Sequence, residues 1–320
     1  MTRPAGAGPF VPAQHAASAP GAPAAVAEPA RGENRGPGVG ASAEAAAGLA
    51  GEFRATLEAG IHGLCFSPYL QGQAPGTQVG AVQIRARLEL IRPWTRWIRS
   101  FACTEGHEHT PRIAHELGLK TLVGAWIGPD AAANERELCA LIEIARAGHA
   151  DLVAVGNEVL LRRDLDEDTL LEHLARVKAA LPGVAVATVD AYYLFEQHPR
   201  VSAACDVLLA NCYPFWEGCA LEQAPAAMRE MVRRVQALAG ARPVIVSETG
   251  WPDRGSAFHA ARPSPEGALR YFVETQRWAH EAGVAVFHFC AFDEAWKVAD
   301  EGDVGAHWGL WDCHARLKFG

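Results

Sequence analysis

Two glutamates each close an apolar run with the pattern of a β-strand: Glu158 in Val153-Ala154-Val155-Gly156-Asn157-Glu158, and Glu248 in Val244-Ile245-Val246-Ser247-Glu248-Thr249-Gly250-Trp251-Pro252. A carboxylate at the end of a buried strand is costly to desolvate unless neighbours stabilise it. For either glutamate alone, a solvated loop position or a structural ion pair is the simpler reading. Together they point elsewhere. Paired carboxylates flanking a bond are what glycoside cleavage requires, one to protonate the departing oxygen and the other to attack the anomeric carbon or activate water.

That chemistry needs a scaffold that turns both side chains toward one point. From residue 60 onward, short β-branched and apolar runs alternate with longer helix-patterned stretches, the pattern of a parallel sheet covered by helices. Eight strands are expected, over 61–66, 95–101, 120–126, 151–156, 184–189, 206–211, 243–247 and 284–290. Between them lie amphipathic stretches such as 134–147 and 167–180, with Leu or Ile recurring every three or four residues. Gly118, Gly148, Gly183, Gly240 and Gly283 each stand where a helix should stop, shortly before a strand begins. Eight strand–helix units in roughly 260 residues fit a (β/α)8 TIM barrel, which typically uses about 250. An open doubly wound sheet is the rival, but it would carry a Gly-rich dinucleotide loop after its first strand, and Gly63-Leu64-Cys65-Phe66-Ser67-Pro68 is not one. In a closed barrel, strands four and seven lie on opposite sides of the axis, so Glu158 and Glu248 can face each other across the mouth.

Composition narrows the partners. The chain has 320 residues, 49% of them apolar, with 29 basic and 37 acidic side chains and a net charge of −8. That sign is wrong for gripping phosphate backbones or anionic membrane, so no nucleic-acid partner is expected. No stretch approaches the ~18 consecutive apolar residues of a membrane-spanning helix. The nearest, 284–292, is interrupted by His288, and no membrane insertion is expected. The eight cysteines include no CxxC pair and the 13 histidines no HExxH, so reduced thiols are expected, with no metal and no cofactor. Of residues 1–50, 32 are Ala, Gly or Pro. Such a segment cannot bury enough surface to offset its ordering entropy, so 1–50 is expected to be a disordered tail ending in a short helix over 41–57. The domain proper is then 51–320, expected as a monomer. Arg3 is the only early cation and prolines break the run after it, so a secretory leader is not expected and the compartment stays open between cytoplasm and periplasm.

Val155-Gly156-Asn157-Glu158 and Val246-Ser247-Glu248-Thr249-Gly250-Trp251-Pro252 resemble the two signature segments of glycoside hydrolase family 17, the β-1,3-glucanases and their transglycosylating relatives. Asn211-Cys212-Tyr213-Pro214-Phe215, Phe292-Asp293-Glu294-Ala295-Trp296-Lys297 and His307-Trp308-Gly309-Leu310-Trp311 resemble further segments of that family, in order along residues 60–320. The resemblance implies a retaining barrel enzyme acting on β-1,3-glucan, with Glu158 as general acid/base and Glu248 as nucleophile. It implies that Asn157 hydrogen-bonds the sugar 2-hydroxyl, that Tyr213 orients or donates to the nucleophilic carboxylate, and that Arg99 helps keep Glu248 ionised. In such a pair, held about 5–5.5 Å apart, the charge on the nucleophile raises the pKa of the acid until a glycosyl ester removes it. Glu294 and Lys297 are open between a rim ion pair and direct sugar contacts. Ser100-Phe101 departs from the family, which more often has a small aliphatic residue and then Tyr after the Arg.

Six of the nine Trp and four of the five Tyr follow strands on the expected catalytic side. Sugar rings pack their C–H faces on flat aromatic rings, so Trp251 is expected to stack on substrate, with Tyr69 and Trp216 as further contacts. Two alternatives stay open beside a retaining hydrolase. The covalent intermediate can pass to another sugar, which makes a glucanosyltransferase. The barrel can bind β-glucan without chemistry. A phosphate-handling barrel is disfavoured, because the loops after strands seven and eight carry Trp251, Pro252, Trp296 and Lys297 in place of Gly-rich backbone. The loop 254–265, with Phe258 and His259, either caps the cleft or is a variable surface loop.

Overall fold

The computed structural model describes residues 39–319, so the expected tail up to residue 38 lies outside the described residues. Helix α1 (Val39–Glu58) precedes strand β1 (Ile61–Cys65), and α2 (Ala81–Ile91), β2 (Thr95–Ser100), α3 (His109–Glu116), β3 (Lys120–Ala125), α4 (Ala131–Arg146) and β4 (Leu152–Asn157) follow. Next come α5 (Val159–Arg162), α6 (Glu167–Ala180), β5 (Ala185–Ala191), α7 (Leu194–Gln197), α8 (Pro199–Ala204) and β6 (Leu208–Asn211). The chain ends with α9 (Ala224–Ala239), β7 (Val244–Thr249), α10 (Pro265–Ala282), β8 (Ala285–His288) and α11 (Val298–Glu301). All eight strands are parallel and paired in sequence order, and β8 closes on β1. This is the (β/α)8 barrel that the alternation predicts.

The strands read as apolar runs because both faces are covered, β4 being buried throughout. The helices each bury one stripe: α9 sets Met228, Met231, Val232, Val235 and Ala239 against the sheet. Their starts are fixed by side chains that accept orphan backbone N–H groups. Asp130 caps α4, Asp166 caps α6 and Ser264 caps α10. The helix expected over 41–57 is α1, and Phe53 and Leu57 on it are fully buried. Phe53 meets Phe272 of α10 edge-on at 5.0 Å, so α1 is packed against the barrel wall and the division expected at 50/51 falls inside this helix.

Three strand pairs lose their register near the carboxyl ends: β4/β5 between Ala154 and Asn157, β6/β7 between Ala210 and Asn211, and β7/β8 between Val246 and Thr249. Such irregularities re-aim side chains, and these sit on the strands that carry the candidate residues. Gly156 makes the first possible. Its φ is +80, and a Cβ there would stand 2.5 Å from Val159 Cγ2.

Candidate active site

Arg99, near the end of β2, organises the mouth of the barrel. It is 2% exposed, and its guanidinium donates from Nη1 to Glu248 Oε1 at 2.5 Å and to the Ser247 carbonyl at 3.3 Å. From Nη2 it donates to Asn157 Oδ1 at 2.7 Å. One planar cation therefore holds β4 and β7 at once, a task that suits the rigid fork of arginine. The other oxygen of Glu248 accepts the Tyr213 hydroxyl at 2.8 Å. Burial, and then the Glu248 charge, push the Tyr213 pKa well above its ordinary value, so this hydroxyl stays a donor at neutral pH.

Glu158 is held differently. Its backbone N–H donates to the Val189 carbonyl at 2.8 Å, and the residue is left-handed, with φ 53 and ψ 33. Its carboxylate accepts one hydrogen bond, from Asn211 Nδ2 at 2.8 Å. Burial raises its pKa first and the Glu248 charge second, while the Asn211 bond works in the opposite direction. Asn211 is itself fixed by Ser247, whose hydroxyl donates to Asn211 Oδ1 at 2.8 Å. The Asn157 amide oxygen is taken by Arg99, which leaves its NH2 group as the one available to a ligand hydroxyl. The two carboxyl groups thus share one network of buried amides and a guanidinium but differ in environment, Glu248 being buried, ion-paired and doubly hydrogen-bonded, and Glu158 being less covered, held by one hydrogen bond and raised in pKa. Unequal environments of this kind can set two carboxyl groups apart as proton donor and nucleophile.

The structure also relocates several expected residues. Trp251 is a correction: it is 2% exposed, its indole N–H donates to the Arg262 carbonyl at 3.1 Å, and it packs against Phe215 and Tyr271. It lies in the core, with no exposed face left for a sugar. Tyr69 is also buried, and its hydroxyl is engaged by His107 Nε2 at 3.0 Å. Glu294 and Lys297 form a buried ion pair at 2.6 Å, with the other Glu294 oxygen accepting the Trp296 indole N–H at 3.0 Å. Lys297 Nζ stands 3.9 Å over the Phe289 ring. Trp216 is half-buried against Phe215, Phe258 and Trp308, and Phe258 of the 254–265 loop docks on it.

Three neighbours escape the sequence reading. Asp190, at the end of β5, is 1% exposed and accepts the Leu160 and Ala191 backbone N–H groups at 3.1 and 2.9 Å. Burial, then the Glu158 charge, push it up to about 8. It ends an apolar strand as the two glutamates do, so the same signal marks it. Glu301 on α11 accepts the Trp308 indole N–H at 2.7 Å and is pushed up to about 7 by burial. Arg162 donates to the Asn157 carbonyl at 2.5 Å. Neither has a sequence signal, because each sits on a four-residue helix that only the folded loops define. Among the described residues no group of three or more His, Cys, Asp or Glu is placed to hold a metal ion, and no helix is long and apolar enough to cross a membrane. The eight cysteines are free.

Comparison with known proteins agrees with this geometry. Residues 63–309 match the family of the BtgE/BtgC glycoside hydrolase domain. A glucan 1,3-beta-glucosidase of Arthroderma benhamiae is 30% identical over 225 residues, which cover 64% of this chain and 72% of that protein. Another, from Schizosaccharomyces pombe, is 28% identical over 257 residues, 73% of this chain and 78% of that one. Among solved structures, an active-site mutant of the Rhizomucor miehei beta-1,3-glucanosyltransferase in complex with laminaritriose superposes with a TM-score of 0.73 at 26% identity, covering 81% of this chain and 96% of that one. The chain belongs to the BtgE/BtgC glycoside hydrolase domain family, within the family 17-like group of glucan 1,3-β-glucosidases and β-1,3-glucanosyltransferases, and is a glycoside hydrolase of the glucan 1,3-β-glucosidase type.

Proposed function

We propose that the chain cleaves β-1,3-glucan with retention of configuration, Glu248 acting as nucleophile and Glu158 as general acid/base, in a catalytic domain that runs from α1 to the end of the chain. The observation that carries this reading is the unequal treatment of the two carboxyl groups. Glu248 is paired with Arg99 and bonded by Tyr213, whereas the Glu158 pKa is raised by burial and by the Glu248 charge. In the first step a Glu248 oxygen bonds to the anomeric carbon as the glycosidic C–O bond breaks, and the Glu158 proton passes to the departing oxygen. The ester removes the Glu248 charge, the Glu158 pKa falls, and its carboxylate takes a proton from the incoming hydroxyl whose oxygen displaces Glu248. Asn157 would hold the sugar 2-hydroxyl through its free NH2 group. Nothing in this sequence of steps calls for a metal or cofactor.

If the incoming hydroxyl belongs to water the outcome is hydrolysis, and if it belongs to a second glucan the outcome is transfer. The likeness to the Rhizomucor miehei glucanosyltransferase over 96% of that chain favours testing transfer as the second reading. Glu158→Gln and Glu248→Gln should each abolish turnover of laminari-oligosaccharides while sparing their binding, and NMR of the wild-type reaction should detect the β-anomer first. Wild-type rates in either variant, or an initial α-anomer, would sink the assignment. Products longer than the substrate would identify transfer, and only shorter ones hydrolysis.

A further inference from the structure

On the reading above Glu158 protonates the oxygen of the leaving chain, so that chain lies on the Glu158 side of the mouth, where β4 is flanked by β3 and β5. Trp126 is the residue immediately after β3. The β3/β4 register pairs Ala125 with Val155, which sets Trp126 level with Gly156 and one residue short of Asn157. It is 43% exposed, and among the described residues every other Phe, Tyr and Trp is more deeply covered. An isolated apolar side chain in solvent is ordinary. This one differs because the structure immobilises it. Its backbone N–H donates at 2.9 Å to Glu137, a carboxylate only 5% exposed that also accepts Cys103 N–H at 2.8 Å and the Thr104 hydroxyl at 2.5 Å. The loops after β2 and β3 are thereby tied to one buried anchor on α4. The indole is fixed as well, since the Arg162 guanidinium lies 4.6 Å from its ring centroid. The same guanidinium donates to the Asn157 carbonyl at 2.5 Å and to the Ile127 carbonyl at 3.3 Å, so the ring is referenced directly to the turn that carries Glu158.

A rigid, solvent-facing indole beside the acid is suited to the apolar C–H face of a pyranose, and a platform ordered in advance loses little entropy when it is occupied. We propose that Trp126, braced by Arg162, is the stacking platform for a glucose ring on the leaving-group side of the cleft, and that the same ring seats the acceptor glucan when the intermediate is transferred. Trp251, which sequence alone marks for stacking, is sealed in the core, and Trp126 takes that role on the opposite side of the mouth. The inference rests on the retaining-glucanase reading above, and its test separates the two.

The test compares two donors in the wild type, Trp126→Ala and Trp126→Phe: laminarihexaose, whose leaving group is a glucan, and β-laminaribiosyl fluoride, whose leaving group is a single atom. The ratio of kcat/KM for the hexaose to kcat/KM for the fluoride should fall about tenfold in W126A and stay within about threefold of wild type in W126F. Added laminaribiose should yield correspondingly fewer chain-extended products in W126A. An unchanged ratio, or equal losses on both donors, overturns the platform while leaving the glucanase reading intact. A wild-type chain that turns over neither donor sinks the glucanase reading and the platform with it.

Discussion

Removing the Glu248 charge should lower the pKa of Glu158, because that charge is one of the causes that raise it. Two unit charges about 5.5 Å apart, the spacing a retaining pair requires, interact by about 3 kcal/mol at an effective dielectric of ~20. The Arg99 guanidinium sits 2.5 Å from the Glu248 carboxylate, and its positive charge acts on Glu158 with the opposite sign. Taking away Glu248 alone leaves Arg99 in place, so Glu248→Gln transfers Glu158 from a site facing an ion pair to one facing a bare cation. The full charge of Glu248 is thus lost, and the Glu158 pKa should fall, with solvent screening damping the change. The assay is a titration of the Glu158 side-chain carboxyl by 13C NMR in the wild type and in E248Q, with E158Q to assign the resonance. A second variant, Arg99→Met, should move Glu158 the other way, since Glu248 then acts uncompensated. A Glu158 pKa unmoved by E248Q within about 0.3 units would refute the claim that the two carboxyl groups sense each other across the mouth, and with it the proposed switching of Glu158 from acid to base.

Other outcomes follow from groups around that pair. Asp190 is raised in the folded state, so the fold binds its proton more tightly than the unfolded chain does. That contribution to stability is complete below the ordinary carboxyl pKa and is lost as pH rises toward about 8, and Asp190→Asn should flatten the decline in Tm between pH 5 and 8 in a thermal scan. Tyr213→Phe removes a hydrogen bond to a charged carboxylate, a loss of about 1.5–3 kcal/mol if it persists in the transition state. It should appear as a fall in kcat/KM of about ten- to a hundredfold with laminari-oligosaccharides. Phe53→Ala should cost about 3–5 kcal/mol in urea denaturation, because the side chain is fully buried between α1 and α10. A cost below 1 kcal/mol would mean that α1 is not an integral part of the barrel wall.

The barrel was legible because its signals are local and repeated. Each strand is an apolar run, and Gly118, Gly148, Gly183, Gly240 and Gly283 all adopt positive φ in the structure, where a chain leaving a helix needs it. The glutamates were legible because a charge ending a buried run violates the pattern around it. Asp190 violates the pattern in the same way and was passed over, since no second residue of its kind called attention to it. Trp251 misled for a physical reason. Its place two residues beyond Thr249 sets it near the cleft in sequence, but the chain turns there, and the indole finds Tyr271, Phe215 and the Arg262 carbonyl beneath the surface. Position after a strand tells which end of the barrel a side chain occupies, not whether it faces solvent or core. Glu301 and Arg162 depend on long loops whose course no local pattern encodes.

Glu158 occupies a backbone conformation that L-residues other than Asn, Asp and Gly rarely accept, with φ 53. Asparagine or glycine would relieve that tension, worth of order 1–3 kcal/mol, and either would leave the turn without the proposed proton donor. Directed evolution of this chain for heat resistance alone would therefore be drawn to the residue the proposed mechanism most needs to keep, and hardier barrels altered at position 158 should be among the first variants such a screen recovers.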